Sequence, residues 1–241
     1  MDAMNAKDRE TNTASVGSVA DGHCHWQGKS TEERHKWRES LFIAHPSVRF
    51  AIEGIREKAQ RVARTGESEG VVVLGETGSG KTHMLEFLSR EFAIEPDPTL
   101  DYTPRPFVVL SVPTPCSPLD FSRAVLKSLG DPLRHRVRNA NASDRVRGLL
   151  TDCKVKFLAI DNFHDVPERR RTRGVDQVIT WVRELFDAVP AVYLLVGNGE
   201  ADTVINSSTQ LKRRFPFQCR LQYQGVETEQ QRREFAKLLF E

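Results

Sequence analysis

Apolar positions along the chain fall into two kinds of run. Gly70-Val71-Val72-Val73-Leu74, Phe107 to Val112, Lys156 to Ile160 and Ala191 to Val196 are short and nearly unbroken, and most are rich in β-branched residues. Runs of that length and composition predict strands buried on both faces. Phe217 to Tyr223 reads as a weaker fifth strand. Between them the apolar residues recur at helical spacing. Val48, Ile52, Ile55, Ala59 and Val62 predict a helix that begins at Pro46 and ends near Gly66. Leu85, Leu88 and Phe92 mark a second, and Phe121, Val125 and Leu129 a third that stops at Gly130-Asp131-Pro132. A polar helix is expected from about Ser143 to Cys153 and an amphipathic one from Asp176 to Val189. Strands alternating with helices imply an α/β fold, a five-stranded parallel sheet between helices. Ligands of such sheets bind beyond the carboxyl ends of the strands.

The ends of the chain break this pattern. Residues 1–30 are rich in Ser, Thr, Asn, Asp and Gly without apolar periodicity, and read as a disordered arm. Residues 31–228 carry the α/β pattern, and a last helix, Glu229 to Phe240, fills 229–241. With 241 residues, 28% charged and 39% hydrophobic, the composition suits one soluble domain plus a tail. No apolar run approaches the roughly 20 residues that span a bilayer, and the N-terminus has no signal-peptide core. Cys24, Cys116, Cys153 and Cys219 are scattered, which fits a reducing, cytoplasmic setting. His23-Cys24-His25 lacks the second ligand pair that a metal site needs.

One loop carries explicit chemistry. Gly75-Glu76-Thr77-Gly78-Ser79-Gly80-Lys81-Thr82 reads G-x-x-x-x-G-K-[ST], the phosphate-binding P-loop, and it lies between a predicted strand and a predicted helix. Its glycines allow backbone N–H groups to converge on phosphate oxygens at the positive end of the helix. Lys81 is the candidate contact to the β- and γ-phosphates, and the Thr82 hydroxyl a candidate Mg²⁺ ligand. Asp161 ends the third strand about 80 residues later, the Walker B position. Two roles stand for it: Mg²⁺ ligand opposite Thr82, or a turn cap. The next residue is Asn162, where many P-loop ATPases have a Glu that activates water. An amide can orient a water but cannot take its proton near neutral pH. Slow hydrolysis with intact ATP binding is the expectation, with His164, Asp165 and Glu168 as candidate substitutes.

Further along, Asn198 follows the fourth strand and is either an amide facing the γ-phosphate or a turn residue. Arg214, or its neighbour Arg213, suits an arginine finger offered to another subunit, and a basic surface is the alternative. The net charge of +2 excludes a uniformly basic nucleic-acid binder. Charge is nonetheless clustered in Arg134-His135-Arg136-Val137-Arg138, in Arg169-Arg170-Arg171-Thr172-Arg173 and in Lys212-Arg213-Arg214. Each run reads equally as a phosphate-backbone contact or as a solvated surface.

The order P-loop, Asp161, Asn198, Arg214-Phe215 resembles an AAA+ ATPase, and the finer resemblance is to the TniB/TnsC-like transposition regulators. It rests on His45-Pro46, Val112-Pro113 with the Pro-rich loop, Asp161-Asn162-Phe163-His164, Val196-Gly197-Asn198 and Gln210 to Phe215, and covers residues 41–241. Asn162 departs from the family's Glu. The resemblance implies an AAA+ domain with a minimal or truncated helical lid and a homo-oligomer, ring or filament, that forms with ATP and Mg²⁺ on double-stranded DNA. It further implies a transposase as partner, with a target-selection protein a possible second. A non-hydrolysing, ATP-gated adaptor and another P-loop ATPase, such as a helicase loader, are the competing readings. On charge density, Lys127, Arg134, Arg136 and Arg138 are the expected DNA contacts.

Overall fold

The computed structural model describes residues 30–33, 44–95, 103–166, 173–223, 228–229, 231–233 and 236. Residues 1–29 of the predicted arm, Glu168, Arg169 to Thr172 and most of the last helix lie outside them, as does the side chain of Arg173. Two units are distinguished, Ala44–Tyr223 and a second made of residues 1–43 and 224–241. In the second unit, Ser30 and Glu33 cap each other through two side-chain-to-backbone bonds. Thr228 and Gln231 repeat the arrangement, and the described residues 229, 231–233 and 236 are helical.

The Ala44–Tyr223 unit opens with α1 (Pro46–Thr65). His45 caps it by accepting the Ser47 N–H, Pro46 fills a first-turn position, and Gly66 closes it at φ 70°. There follow β1 (Glu69–Gly75), α2 (Lys81–Glu91), β2 (Phe107–Ser111), α3 (Pro118–Ser128) and α4 (Asn139–Asp152). The remainder is β3 (Phe157–Asp161), α5 (Arg173–Ala188), β4 (Val192–Gly197), α6 (Gly199–Ser207), α7 (Thr209–Arg214) and β5 (Phe217–Leu221). Short 3₁₀ turns occupy Arg134–Arg136 and Phe163–Asp165.

All five strands are parallel, in the order β2-β3-β4-β1-β5. Val71 pairs with Leu194 on one side and Phe217 on the other, so the strand that feeds the P-loop is internal. Its side chains are buried from Glu69 to Leu74, which explains the unbroken apolar run. One core face packs Phe121, Val125 and Val146 against Val178, Trp181 and Val182 of α5, with Phe121 and Trp181 ring centroids 5.5 Å apart. On the other face α1 crosses β5 at Gly54, where a Cβ would stand 2.2 Å from the Phe217 ring.

Element boundaries depart from expectation in a few places. The polar helix starts at Asn139, four residues before Ser143, because Asn141 Oδ1 takes the Arg138 N–H at 3.0 Å and extends the first turn. β5 stops at Leu221, leaving Gln222 and Tyr223 outside the sheet. Helices α6 and α7 answer to no predicted element; Asn198 and Ser208 cap them in succession.

Candidate functional site

The P-loop sits where β1 hands over to α2. Gly78 and Gly80 hold φ of 86° and 89°, which a residue with a Cβ adopts only under strain. A Cβ on Gly75 would lie 2.4 Å from Ser79 Oγ and 3.1 Å from the Leu221 carbonyl oxygen. The loop is thus closed tightly onto itself and onto β5. Lys81, the first residue of α2, is 8% exposed, and its Nζ donates to the carbonyls of Gly75 and Glu76 at 2.7 Å each. Burial lowers the Lys81 pKa, and the carboxylates of Asp161 and Glu76 oppose that shift. The ammonium therefore lies beside the loop with two carbonyls standing where phosphate oxygens would be.

Asp161 reaches the same place from β3, although β4 separates β3 from β1. It is 6% exposed; Oδ1 accepts the Asn162 N–H at 2.8 Å and Oδ2 lies 3.4 Å from Thr82 Oγ1, a long hydrogen bond. A hydroxyl and a carboxylate oxygen facing each other beside a lysine are a hard-cation donor set, and they fit Mg²⁺ at a triphosphate. Asn162 sits at φ 56°, ψ 39°, the left-handed region that Asn tolerates better than most residues. His164 is turned toward the end of β4. Its Nδ1 is buried without a hydrogen-bond partner among the described residues, 3.4 Å from where a Cβ on Gly197 would be. Its Nε2 lies 3.8 Å from Asp165 Oδ1. Asn198 Oδ1 accepts the Glu200 N–H at 2.9 Å as the cap of α6, so its carbonyl serves the turn role and its amide nitrogen is the atom left for a ligand.

Arg214 does not join this group. Its carbonyl oxygen lies 2.1 Å from where a Cβ on Gly70 would be, at the opposite end of β1 from Gly75. Five residues of strand separate those ends by about 16 Å, farther than an arginine reaches. Its guanidinium is held instead by Asp187, Nε at 3.0 Å and NH2 at 2.7 Å, and lies 6.0 Å from the Phe186 ring centroid. Arg213 is exposed on the same short helix.

Lys127 is exposed in the last turn of α3. Arg134 and Arg136 ride on the 3₁₀ turn, and Arg138 precedes α4. The turn is pinned by Asp131, which accepts Arg145 Nε at 2.6 Å and NH2 at 2.8 Å and caps the Leu133 N–H at 2.9 Å. Arg134 NH1 donates to the Asp131 carbonyl at 3.2 Å, and Arg136 and Arg138 are exposed.

Two site residues escape the sequence reading. Tyr223 lies over the P-loop, its hydroxyl donating to the Thr77 carbonyl and within 3.3 Å of where a Cβ on Gly78 would stand. Asp187, the holder of Arg214, is 27 residues away from it in sequence. Position at the end of a strand beside the P-loop was the one available signal for Tyr223, and nothing in the pattern marks Asp187.

Among curated proteins none matches the chain. The ORC2 protein of Aeropyrum pernix, solved as ADPNP-ADP complexes, superposes with a TM-score of 0.56 at 13% identity, over 82% of this chain and 52% of its own. The ORC1 protein of the same organism, in complex with DNA, gives 0.56 at 13% over 81% and 50%. A Walker-type ATPase of Pyrococcus abyssi gives 0.51 at 12% over 85% and 61%. The chain thus spans about half the length of the ORC proteins it resembles, and the likeness is one of fold, the P-loop AAA+ fold. A family model described as "Bacterial TniB protein" matches residues 34–223, so the chain belongs to the TniB family.

Proposed function

We propose that this protein binds ATP with Mg²⁺, assembles with other copies of itself on double-stranded DNA, and there regulates transposition by marking a target and engaging a transposase. The observation that carries the reading is the pair of opposed sites. Lys81, Thr82 and Asp161 converge at the carboxyl ends of the strands, and Arg214 stands at the opposite end of β1. The family supports the link to transposition, and the DNA complex of the ORC1 relative supports the link to DNA. Residues 31–228 form the nucleotide domain in this reading, with 1–30 an arm and 229–241 the start of a lid. Unpaired Cys116, Cys153 and Cys219 support a cytoplasmic setting. Among the described residues no helix is long and apolar enough to cross a membrane.

The loop residues Gly75 to Thr82 would hold the phosphates, Lys81 exchanging two carbonyls for two phosphate oxygens. Thr82 and Asp161 would hold the cation. The cation supplies charge neutralisation at the γ-phosphate. Arg214 would approach the γ-phosphate bound by another copy, since it cannot reach its own. Asn162 stands where a base would be needed, and its amide accepts no proton, so turnover is slow. That same residue favours a second reading, an ATP-gated adaptor that never turns over.

Electron microscopy of the protein with ATP and duplex DNA tests assembly, and Lys81→Ala supplies the control. Two charged hydrogen bonds are lost at about 1.5–3 kcal/mol each, so nucleotide binding should weaken by roughly 10²- to 10⁴-fold and the assemblies should vanish. Normal assemblies of Lys81→Ala in ATP would refute the proposal. Phosphate release by the wild type separates the two readings, because any appreciable steady-state turnover excludes the non-hydrolysing adaptor.

A further inference from the structure

The chain that leaves β5 is fastened both to the P-loop and to the start of α1. Gly75 pairs with Leu221 in the sheet, and a Cβ on Gly75 would lie 3.2 Å from the Leu221 Cβ. Two residues on, the Tyr223 hydroxyl donates to the Thr77 carbonyl, and its Cε1 stands 3.9 Å from where a Cβ on Gly78 would be. Between them the Gln222 N–H donates to Ser47 Oγ at 3.2 Å. Ser47 Oγ in turn lies 2.9 Å from Nδ1 of His45, the residue that caps α1. Tyr223 is 57% exposed, so burial does not hold its ring over the loop; the hydroxyl contact and the Ser47 tether do.

The Thr77 carbonyl matters because it shares a peptide unit with the Gly78 N–H. That unit is trans, so the two groups point in opposite directions. A loop that binds an anion needs its N–H groups turned inward, and hence its carbonyls turned away. The Gly78 N–H has no acceptor among the described residues, whereas Ser79 gives its N–H to the Glu76 carbonyl at 3.1 Å. Gly78 is therefore an open donor just ahead of α2. It is also a glycine at φ 86°, whose peptide units turn easily unless something holds them. Lys81 takes the carbonyls of Gly75 and Glu76, but those are the bonds it exchanges for phosphate oxygens. The Tyr223 bond requires no such exchange.

We propose that Tyr223 is a positioning residue of the phosphate site: by holding the Thr77 carbonyl from outside, it keeps the Gly78 N–H turned toward the phosphates of a bound nucleotide. The proposal rests on the nucleotide-binding reading above and deepens it. The Ser47–Gln222 tether extends the same brace to the cap of α1. Two elements remote from the P-loop in sequence thus preorganise one of its donors.

The test compares the wild type with Tyr223→Phe, which removes the hydroxyl and keeps the ring. Calorimetric titration with Mg-ATP and with inorganic tripolyphosphate should show both bound roughly fivefold more weakly by the variant, the worth of one neutral hydrogen bond. A loss confined to ATP would mean that Tyr223 serves the base, and would overturn the proposal. Nuclear magnetic resonance supplies the signature that a merely structural hydroxyl would not give. The sequence has two Thr-Gly steps, Thr65-Gly66 and Thr77-Gly78, so protein labelled with ¹³C-carbonyl threonine and ¹⁵N-glycine reports on those two peptide units alone. The Thr77 carbonyl signal should move upfield in Tyr223→Phe as its hydrogen bond is lost. The Thr65–Gly66 signal should stay, since the Gly66 N–H remains bonded to the Val62 carbonyl. Tripolyphosphate should shift the Gly78 N–H of the wild type at saturation. An unmoved Thr77 signal, or unchanged affinity beside a moved one, overturns the brace. Ser47→Ala should weaken both ligands in the same direction as Tyr223→Phe, and no further weakening is expected when the two are combined. Full additivity would mean that the tether does not act through Tyr223. A wild type that binds neither ATP nor tripolyphosphate would sink the nucleotide reading and this proposal with it, whereas normal binding by both proteins sinks the brace alone.

Discussion

Replacing Asp131 with Ala removes one anchor of the turn that presents Arg134 and Arg136. The Asp131 carboxylate is 2% exposed, and it takes two bonds from Arg145 and one from the Leu133 N–H. Truncating one member of a buried pair costs about 3–5 kcal/mol, most of it the stranded charge. Arg145 is the charge stranded here, and at 36% exposure it can rehydrate, which places Asp131→Ala near the lower end, about 3 kcal/mol. Arg145→Ala leaves the more buried carboxylate behind and should cost somewhat more, about 4 kcal/mol. At about 2–4 °C per kcal/mol for a domain of this size, Asp131→Ala should melt about 6–12 °C below wild type. The double variant should lose less than the sum, because either substitution alone already breaks the pair. The decisive measurement is a double-mutant cycle in urea and by calorimetry. A coupling below about 0.5 kcal/mol would refute the claim that the two residues act as one unit. The pair also has an acid signature. The Arg145 hydrogen bonds hold the Asp131 carboxyl below its usual pKa, with the Leu133 N–H and Arg134 helping, against the pull of burial. Since the folded value is the lower one, the stabilisation is complete above about pH 4 and fades as pH falls through the depressed value. The stability gap between wild type and Asp131→Ala should therefore narrow only below about pH 4.

Three other substitutions and one modification probe separate points. Gly70→Ala puts a Cβ 2.1 Å from the Arg214 carbonyl and 2.8 Å from the Phe215 ring, and should cost about 2–3 kcal/mol in denaturant melts, since backbone cannot step aside; a wild-type midpoint would mean the two segments are not in contact. Asn162→Gly should stay within about 0.5 kcal/mol of wild type whereas Asn162→Glu should lose about 1 kcal/mol to its φ of 56°, and equal stability of the two would contradict the left-handed turn. The Cys219 thiol is pushed up to about 12 by burial, so at pH 8 iodoacetamide should leave it unmodified in the native protein and label it in urea, as read by peptide mass mapping.

What could be read from the chain beforehand follows from how far each interaction reaches along it. The strands were legible because the sheet buries both faces, which writes a continuous apolar run such as Val71 to Leu74. Helix α1 was legible to its last residue because His45, Pro46 and Gly66 mark its ends chemically. The P-loop was legible because one short stretch holds nearly all its parts, and Asp161 because it ends an apolar strand. Helices α6 and α7, nine and six residues long, carry too few turns for a period to show, and their signals are the caps Asn198 and Ser208. Pairings across the fold left no mark. Asp131 and Arg145 are 14 residues apart, and Asp187 and Arg214 are 27 apart; Arg145 looked like any other basic residue, and Arg214, singled out as a candidate finger, gave no sign of its carboxylate partner. Tyr223 read as part of β5 because nothing local says that the strand ends at Leu221.

Helix α7 meets the sheet at the Gly70 end of β1, and the P-loop leaves from the Gly75 end. One consequence concerns symmetry. A contact that brings Arg214 of one copy to the P-loop of another joins two unlike faces, so two copies related by a two-fold axis cannot serve each other through a single such contact. In the assembly proposed above, an open row would leave complementary surfaces at its two ends, whereas a closed ring would leave none. Growth of an open row would therefore have a direction, and the last copy at one end would keep a nucleotide with no arginine to meet it. That terminal copy would differ chemically from all the others and give a row of identical chains one distinguishable tip.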